Sequence, residues 1–200
     1  MARDLDKQEL QIQLQAAAQG DELAWKVIVD AYAHRVFALL RSKCNNEDLA
    51  EEITQSTFCT IAAKLPDYQE SGKFEPWLFR IAMNRLRDEM RRRKRHAVPM
   101  DNEMIGVLTQ GTLDERSDNE NELELNRLRE AVRMLPSSDQ DIIHMRHSAG
   151  MSYKQIAEAL GEPLGTVLAR QHRALKKLRN LMVGADNSDM EANKGAIEST

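Results

Sequence analysis

The sequence predicts an all-α protein of two small helical domains joined by a flexible acidic linker, the second domain containing a helix-turn-helix. Helix-forming Leu, Ala, Glu, Arg and Gln recur along the 200 residues, whereas glycine and proline number only 9 and 5. Few stretches alternate apolar and polar residues in the manner of strands. The third observation is a segregation of charge, which a net charge of -4 conceals.

Two basic blocks flank an acidic block. Residues 80–96 carry eight Lys/Arg against two Asp/Glu, and residues 151–180 carry six against two. Residues 101–130 carry nine Asp/Glu against three Arg. Since phosphates are attracted by concentrated positive charge, this distribution favours nucleic-acid binding by both basic blocks in spite of the negative total.

Composition divides the chain into four segments. Residues 1–97 and 122–182 are rich in periodic apolar positions and predict the two helical domains. Residues 98–121 are poor in apolar side chains and predict the flexible linker. Residues 183–200 are polar with small side chains and predict a disordered tail.

Neither membrane insertion nor a bound cofactor is expected. No run of about 18 apolar residues exists, and the first residues lack the apolar stretch of a signal peptide, so we expect a cytoplasmic protein. Cys44 and Cys59 fit that compartment, and neither forms a CxxC pair. His144 and His147 lie three residues apart without a third ligand in view, so we expect no metal.

Residues 151–178 have the pattern of a helix-turn-helix. Ser152 and Gln155 have the spacing of a capping box, which predicts a helix start. Gly161 is suited to end that helix, and Pro163 to begin the next one.

The second helix of this motif is predicted to bury one face and to expose a basic one. The predicted buried face holds Leu164, Val167, Ala174, Leu175 and Leu178. The opposite face holds Thr166, Arg170, Arg173 and Lys177. Such a helix fits a DNA major groove, where guanidinium groups bind phosphates and guanine edges. A solvated basic face on an ordinary helix is the alternative that the pattern leaves open.

The first basic block predicts a second nucleic-acid face. On a helix over residues 75–95, one side carries Leu78, Phe79, Ala82, Leu86 and Met90. The other side carries Arg80, Asn84, Arg87, Arg91 and Arg95, a stripe that can follow a phosphate backbone. The aromatic residues just upstream, Tyr68, Phe74 and Trp77, can stack on unpaired bases or belong to the core.

A helix over residues 46–65 has a different outer face. The residues predicted to point inward are Ile53, Thr57, Ile61 and Leu65. The outer stripe is formed by Asp48, Glu52, Gln55 and Cys59, with Phe58 on its border. Because its acids would repel DNA, this face is expected to meet a protein partner or solvent.

Three segments together resemble the extracytoplasmic-function (ECF) sigma factors, the small promoter-recognition subunits of bacterial RNA polymerase. Residues 50–58, AEEITQSTF, resemble the polymerase-binding helix of that family. Residues 74–92, which begin FEPWLFRIAMN, resemble its promoter-melting segment, and residues 135–179 resemble its promoter-recognition helix-turn-helix. The motifs occur in the family's order and span residues 8–181.

The resemblance implies a role for each face. Binding of core RNA polymerase is implied for Asp48, Glu52, Gln55 and Phe58. Capture and melting of the minus-ten element are implied for Phe74, Arg80, Asn84, Arg87 and Arg91, with the loop from Gln69 to Phe74. Contact with the minus-thirty-five element is implied for Thr166, Ala169, Arg170, Arg173 and Lys177. The implied partners are core RNA polymerase, promoter DNA and an anti-sigma factor, and no catalysis is expected of the chain itself.

Other classes of function fit the sequence less well. A free-standing transcription regulator would leave the Asp48 face and the Arg80 stripe without a role. An enzyme acting on nucleic acid would need a cluster of acids with a histidine or a metal ligand, which the sequence does not offer. A protein-binding adaptor would have no use for the net charge of +6 over residues 80–96.

Overall fold

The computed structural model describes residues 5–96 and 120–197, and every element in these two ranges is helical. The first domain comprises α1 (Lys7–Ala18), α2 (Glu22–Cys44), α3 (Glu47–Lys64), a 3₁₀ turn (Leu65–Asp67) and α4 (Phe74–His96). The second domain comprises α5 (Glu120–Arg133), α6 (Ser137–His147), α7 (Tyr153–Leu160) and α8 (Leu164–Ile197). The all-α prediction is confirmed. Nearly all of the predicted linker, residues 98–121, lies outside the described residues.

Helix starts in the first domain follow from side-chain caps. Asp6 and Asp21 each accept two backbone N–H bonds at the starts of α1 and α2, and Asn46 accepts the N–H of Leu49 at the start of α3. Asn45 ends α2 in the left-handed conformation, with φ of 49°. These adjacent signals, Asn45 and Asn46, set the sharp corner between α2 and α3.

The helix-turn-helix in the second domain has the predicted local structure. Ser152 and Gln155 form a complete capping box at the start of α7, and Gly161 ends α7 with φ of 70°. Pro163 precedes the first residue of α8. Two buried residues, Ile156 on α7 and Val167 on α8, hold the two helices together.

Three side chains on the apolar faces of their helices are exposed. Leu164 and Leu175 are 44% and 47% exposed because they share a line with Leu168, set to one side of the buried positions of α8. Met90 on α4 is 44% exposed because the end of this helix extends beyond its neighbours, and residues 91–95 are exposed as well. The predicted burial of Leu164 and Leu175 is therefore wrong, whereas Met90 is exposed by its position near the end of α4.

The end of α8 also differs from expectation. The helix continues to Ile197, through most of the segment for which composition predicts a disordered tail. Residues 183–197 contain no proline, the residue that most strongly disfavours a helix interior, although Gly184 and Gly195 are poor helix formers.

The two domains pack against each other. Helix α4 contacts α7, and α2 contacts α6. Fully buried residues from both domains, among them Phe79 on α4 and Ile156 on α7, belong to one continuous hydrophobic cluster. No helix in the described part of the chain has the length and apolar content needed to cross a membrane.

Candidate nucleic-acid interface

The stripe predicted on α4 lies on its outer surface. Arg80, Asn84 and Arg91 are exposed, and the side chain of Arg91 is 76% exposed. The helical repeat aligns them on one side because they are four and seven residues apart. Three exposed side chains with donor groups therefore lie along one line, as contact with a phosphate backbone requires, and Arg91 also pairs with the exposed Asp88 at 3.7 Å.

Arg87 belongs to the same stripe, but its guanidinium is engaged. It donates to the Oδ1 of Asn84 at 3.1 Å and to the Oδ2 of Asp141 at 3.0 Å. Asp141 lies on α6 of the second domain, and its other oxygen, Oδ1, is 2.8 Å from the Nζ of Lys43 on α2. The second domain therefore covers one end of the Arg87 side chain, which is still 41% exposed.

The loop before α4 is built on an aromatic cluster. Tyr68 stacks on Trp77 with ring centroids 4.5 Å apart, and Phe74 packs edge-on against Tyr32 and Tyr68. Phe74 is 1% exposed, so it supports the loop from beneath, and its predicted contact with promoter DNA stays a prediction. Gln69 is an exposed residue of the loop.

Glu70 fixes the shape of this loop. Its carboxylate accepts the backbone N–H groups of Gly72 and Lys73 and, at 3.1 Å, the hydroxyl of Tyr68. Gly72 has φ of +76°, a conformation that disfavours other residues. Burial, and secondly the charge of Glu70, raise the pKa of Tyr68, so the hydroxyl stays protonated and keeps donating.

The acidic stripe of α3 is solvent-facing. Asp48, Glu52 and Gln55 are all exposed, as the helical repeat predicts. Phe58 is 7% exposed and packs edge-on against Trp25, with ring centroids 6.2 Å apart. Its aromatic ring thus lies under the stripe rather than on it, and its contact with a partner remains a prediction.

The basic face of α8 divides into exposed residues and a residue held in ion pairs, Arg170. Thr166, Ala169, Arg173 and Lys177 are exposed. The side chain of Arg170 is only 13% exposed, because its guanidinium donates to the carboxylates of Glu162 at 2.7 Å and Asp139 at 3.1 Å. Burial alone would lower the pKa of Arg170, but these two ion pairs outweigh it, and the net shift is upward.

Sequence reasoning missed the polar groups that join the two domains. Arg35 on α2 donates from its Nε to the carbonyl of Ala149 at 2.9 Å and pairs with Glu75 at 3.0 Å. Glu75 in turn accepts the side-chain amide of Gln155 on α7 at 2.7 Å. For the other polar contact between the domains, that of Asp141, the sequence does offer a signal. This acid precedes two isoleucines, a pattern that indicates burial, and a buried carboxylate requires a cation nearby.

A histidine lies beside this junction. The pKa of His144 is lowered to about 4, mainly by burial. The neighbouring charge of Lys43 also lowers this pKa, by more than the charge of Asp141 raises it. His144 is therefore neutral at pH 7. Among the described residues, no group of three His, Cys, Asp or Glu side chains is arranged to hold a metal ion.

Comparison with known proteins matches both domains to one family. The family model "Sigma-70 region 2" covers residues 28–96, and "Sigma-70, region 4" covers residues 131–180. The RNA polymerase sigma factor NccH of Alcaligenes xylosoxydans xylosoxydans is 31% identical over 83% of this chain and 90% of its own length. The ECF RNA polymerase sigma factor SigE of Mycolicibacterium smegmatis is 33% identical over 82% of this chain and 65% of its own length.

The chain belongs to the ECF RNA polymerase sigma factors. Solved structures of two other proteins have the same fold as this chain. CnrH, in complex with the cytosolic domain of CnrY, superposes with a TM-score of 0.64 at 25% identity, over 86% of this sigma factor and 96% of CnrH. RpoE of Bartonella quintana, in complex with the anti-sigma factor NepR, superposes with a TM-score of 0.56 at 24% identity, over 88% and 95% of the two chains.

Proposed function

We propose that this sigma factor binds core RNA polymerase through α3 and directs it to promoters that α4 and α8 recognise. The observation that carries this is the presence, in one chain, of an exposed acidic face and two exposed cationic faces on the two matched domains. Acids on α3 suit a basic protein surface and repel DNA, whereas the cationic faces suit phosphates. The chain supplies recognition and melting, and the polymerase supplies the chemistry.

The exposed residues carry the proposed contacts. On α4, Arg80 and Arg91 hold backbone phosphates, while the amide of Asn84 has the donor and acceptor needed to bind a base edge. The loop around Gln69 receives the base that leaves the stack, above the Tyr68–Trp77 platform.

On α8, Arg173 and Lys177 are the exposed cations for the minus-thirty-five element. Thr166 is an exposed hydroxyl, and Ala169 can contact a thymine methyl. Arg170 is proposed to stay with Glu162 and Asp139, so its contribution to DNA binding is to hold this part of α8 in place.

We also propose that an anti-sigma factor holds this protein inactive in the cytoplasm. Support comes from the fold relatives, of which RpoE was solved with the anti-sigma factor NepR. The extensive contact between the two domains offers a partner a single surface formed by both.

The test is transcription in vitro with purified core polymerase and a genomic DNA library, with and without this protein. Discrete transcripts that require both components would support the proposal and identify the promoter. Tight binding of the protein alone to duplex DNA, without such transcripts, would indicate a free-standing regulator.

A matched pair of charge reversals tests the polymerase face. Glu52→Lys is expected to weaken the affinity for core polymerase at least about tenfold, since like charges then face each other across the interface. Asp30→Lys on α2 reverses an equally exposed acid away from α3 and should leave the affinity unchanged. Equal affinities for the two variants would argue against the α3 face.

A further inference from the structure

Asp141 is a nearly buried acid whose cations come from the other domain. The residue is 7% exposed. Each carboxylate oxygen has its own partner: Oδ1 lies 2.8 Å from the Nζ of Lys43 and Oδ2 lies 3.0 Å from a guanidinium nitrogen of Arg87. Since an unpaired carboxylate at this depth would be strongly unfavourable, these two pairs account for its burial between the domains.

Lys43 and Arg87 are brought together by the first domain alone. Lys43 lies in the last turn of α2, Arg87 lies on α4, and these two helices are in contact. In the described part of the chain, neither cation has a second acidic partner; their other polar neighbours are the amides of Gln140 and Asn84. If the domains separate, two adjacent cations lose their counter-ion and repel each other, which favours uptake of another anion.

The position of the pair indicates which anion. Arg87 stands between Arg80 and Arg91 along the exposed stripe of α4. A phosphodiester presents two oxygens that share one negative charge, as the carboxylate of Asp141 does. We propose that Lys43 and Arg87 form a phosphate site for promoter DNA, which Asp141 fills when the domains are closed. This inference rests on the proposed function and adds Lys43 to the DNA-binding residues, on a helix outside the three segments that carry the sequence resemblance.

A second set of contacts closes the domains without using a residue of the stripe. Arg35 donates to the carbonyl of Ala149, and Gln155 donates to Glu75. Beside the shared hydrophobic cluster, the polar contacts that close the domains thus lie in two places, of which only the site at Asp141 competes with DNA. Loosening either place should free the phosphate site, while only changes at Lys43 or Arg87 should damage it.

The experiment measures binding of the free full-length chain to a fluorescein-labelled 20-residue oligothymidylate over a series of NaCl concentrations. Asp141→Asn is expected to tighten binding about three- to tenfold, because the fraction of molecules with an available site rises. Adding Lys43→Gln to Asp141→Asn should abolish the gain and flatten the logarithmic salt dependence by about 0.7, the value for one phosphate contact on a single strand.

Two controls match these changes in charge. Glu124→Gln neutralises an exposed acid on α5, and Lys26→Gln neutralises an exposed cation on α2. If Asp141→Asn binds no better than Glu124→Gln, the competition is overturned. If adding Lys43→Gln costs no more affinity or salt dependence than adding Lys26→Gln, the phosphate site at Lys43 is overturned.

A second variant covers the case in which Asp141→Asn does not fold. Glu75→Gln loosens the other closing contact and leaves Lys43, Arg87 and Asp141 in place, so it should also tighten binding, by about twofold or more. Unchanged binding would overturn the competition. None of these measurements contains polymerase. A chain that directs initiation but shows no gain overturns this inference alone, whereas a gain without transcripts supports the phosphate site and counts against the proposed function.

Discussion

Arg87 on α4 and Arg170 on α8 both belong to basic faces, yet their acidic partners have different origins. Asp141, the partner of Arg87, comes from the other domain, while Glu162 and Asp139, the partners of Arg170, lie within its own domain. Separation of the domains releases Arg87 and leaves Arg170 engaged. The same residue type, at comparable positions of a cationic face, is therefore available for DNA in one case and part of the scaffold in the other.

The different roles of Arg87 and Arg170 are tested most directly by replacing Arg170. Arg170→Ala leaves two carboxylates unpaired in a poorly hydrated place, so the free energy of unfolding should fall by about 2–3 kcal/mol. Arg173→Ala, on the exposed side of the same helix, should change it by less than about 0.5 kcal/mol. Urea denaturation of both variants measures the difference. A stable Arg170→Ala protein that still loses promoter binding would show that Arg170 contacts DNA directly.

Acid pH is expected to weaken the junction between the domains, where His144 lies. The pKa of His144 is lowered to about 4, so between about pH 6.5 and pH 4 the unfolded chain binds a proton that the folded chain does not. The free energy of unfolding should therefore decrease as pH falls through this window, by on the order of 2–3 kcal/mol from this residue. Thermal unfolding from pH 7 to pH 4 measures it.

Replacement of His144 isolates its share of that decrease. His144→Gln removes the titrating group, so its unfolding free energy should decline less over the same pH range. His172→Gln, at an exposed histidine of α8, is the matched control and should decline as the wild type does. Parallel pH profiles for all three proteins would rule out His144 as the source.

Two neighbours on α4 separate phosphate binding from base recognition. In the holoenzyme, Asn84→Ala should reduce discrimination among minus-ten sequences by about 1–2 kcal/mol, since the amide is the group that can bind a base edge. Arg80→Ala should weaken all sequences alike and reduce the salt slope by about 0.7–0.9. Binding to a panel of promoter variants at several salt concentrations distinguishes the two, and exchanged behaviour would reverse the assignment.

The smallest effect concerns the turn of the helix-turn-helix. Gly161 has φ of +70°, so Gly161→Ala should destabilise the protein by about 1 kcal/mol. Gly165 lies within α8 with nothing within 4 Å of an added Cβ, so Gly165→Ala should instead stabilise by about 0.5–1 kcal/mol. Shifts of the same sign in thermal unfolding would contradict the assigned turn geometry.

Local signals were enough to predict much of this fold. The capping box at Ser152, the stop at Gly161 and the stripe at Arg80 depend on neighbours within a few residues, so periodicity and capping rules identify them. The domain packing could not be predicted in this way. Contacts such as Asp141 with Lys43 join residues 98 positions apart, and a helical pattern specifies a face without specifying what covers it.

The candidate site shows the same limit. A helical wheel placed Arg170 and Arg173 on one cationic face, but only the folded chain brings Asp139 and Glu162 to the first of them. The same holds for Leu164 and Leu175, which the wheel placed in the core and the structure exposes. Sequence periodicity gives the direction of a side chain to within about one quarter-turn. Whether a side chain at the edge of the apolar face is buried then depends on how far the neighbouring helix extends over it.

Both tryptophans of this protein lie in the first domain, Trp25 against Phe58 and Trp77 against Tyr68. The emission of an indole ring depends on the groups around it. Polymerase docking on α3 would change the surroundings of Trp25, and strand capture at the loop would change those of Trp77, while unfolding of the second domain alone would leave both rings in place. The chain thus carries two unlabelled optical reporters, one for each proposed event in the first domain, and single-tryptophan variants would record them separately in real time.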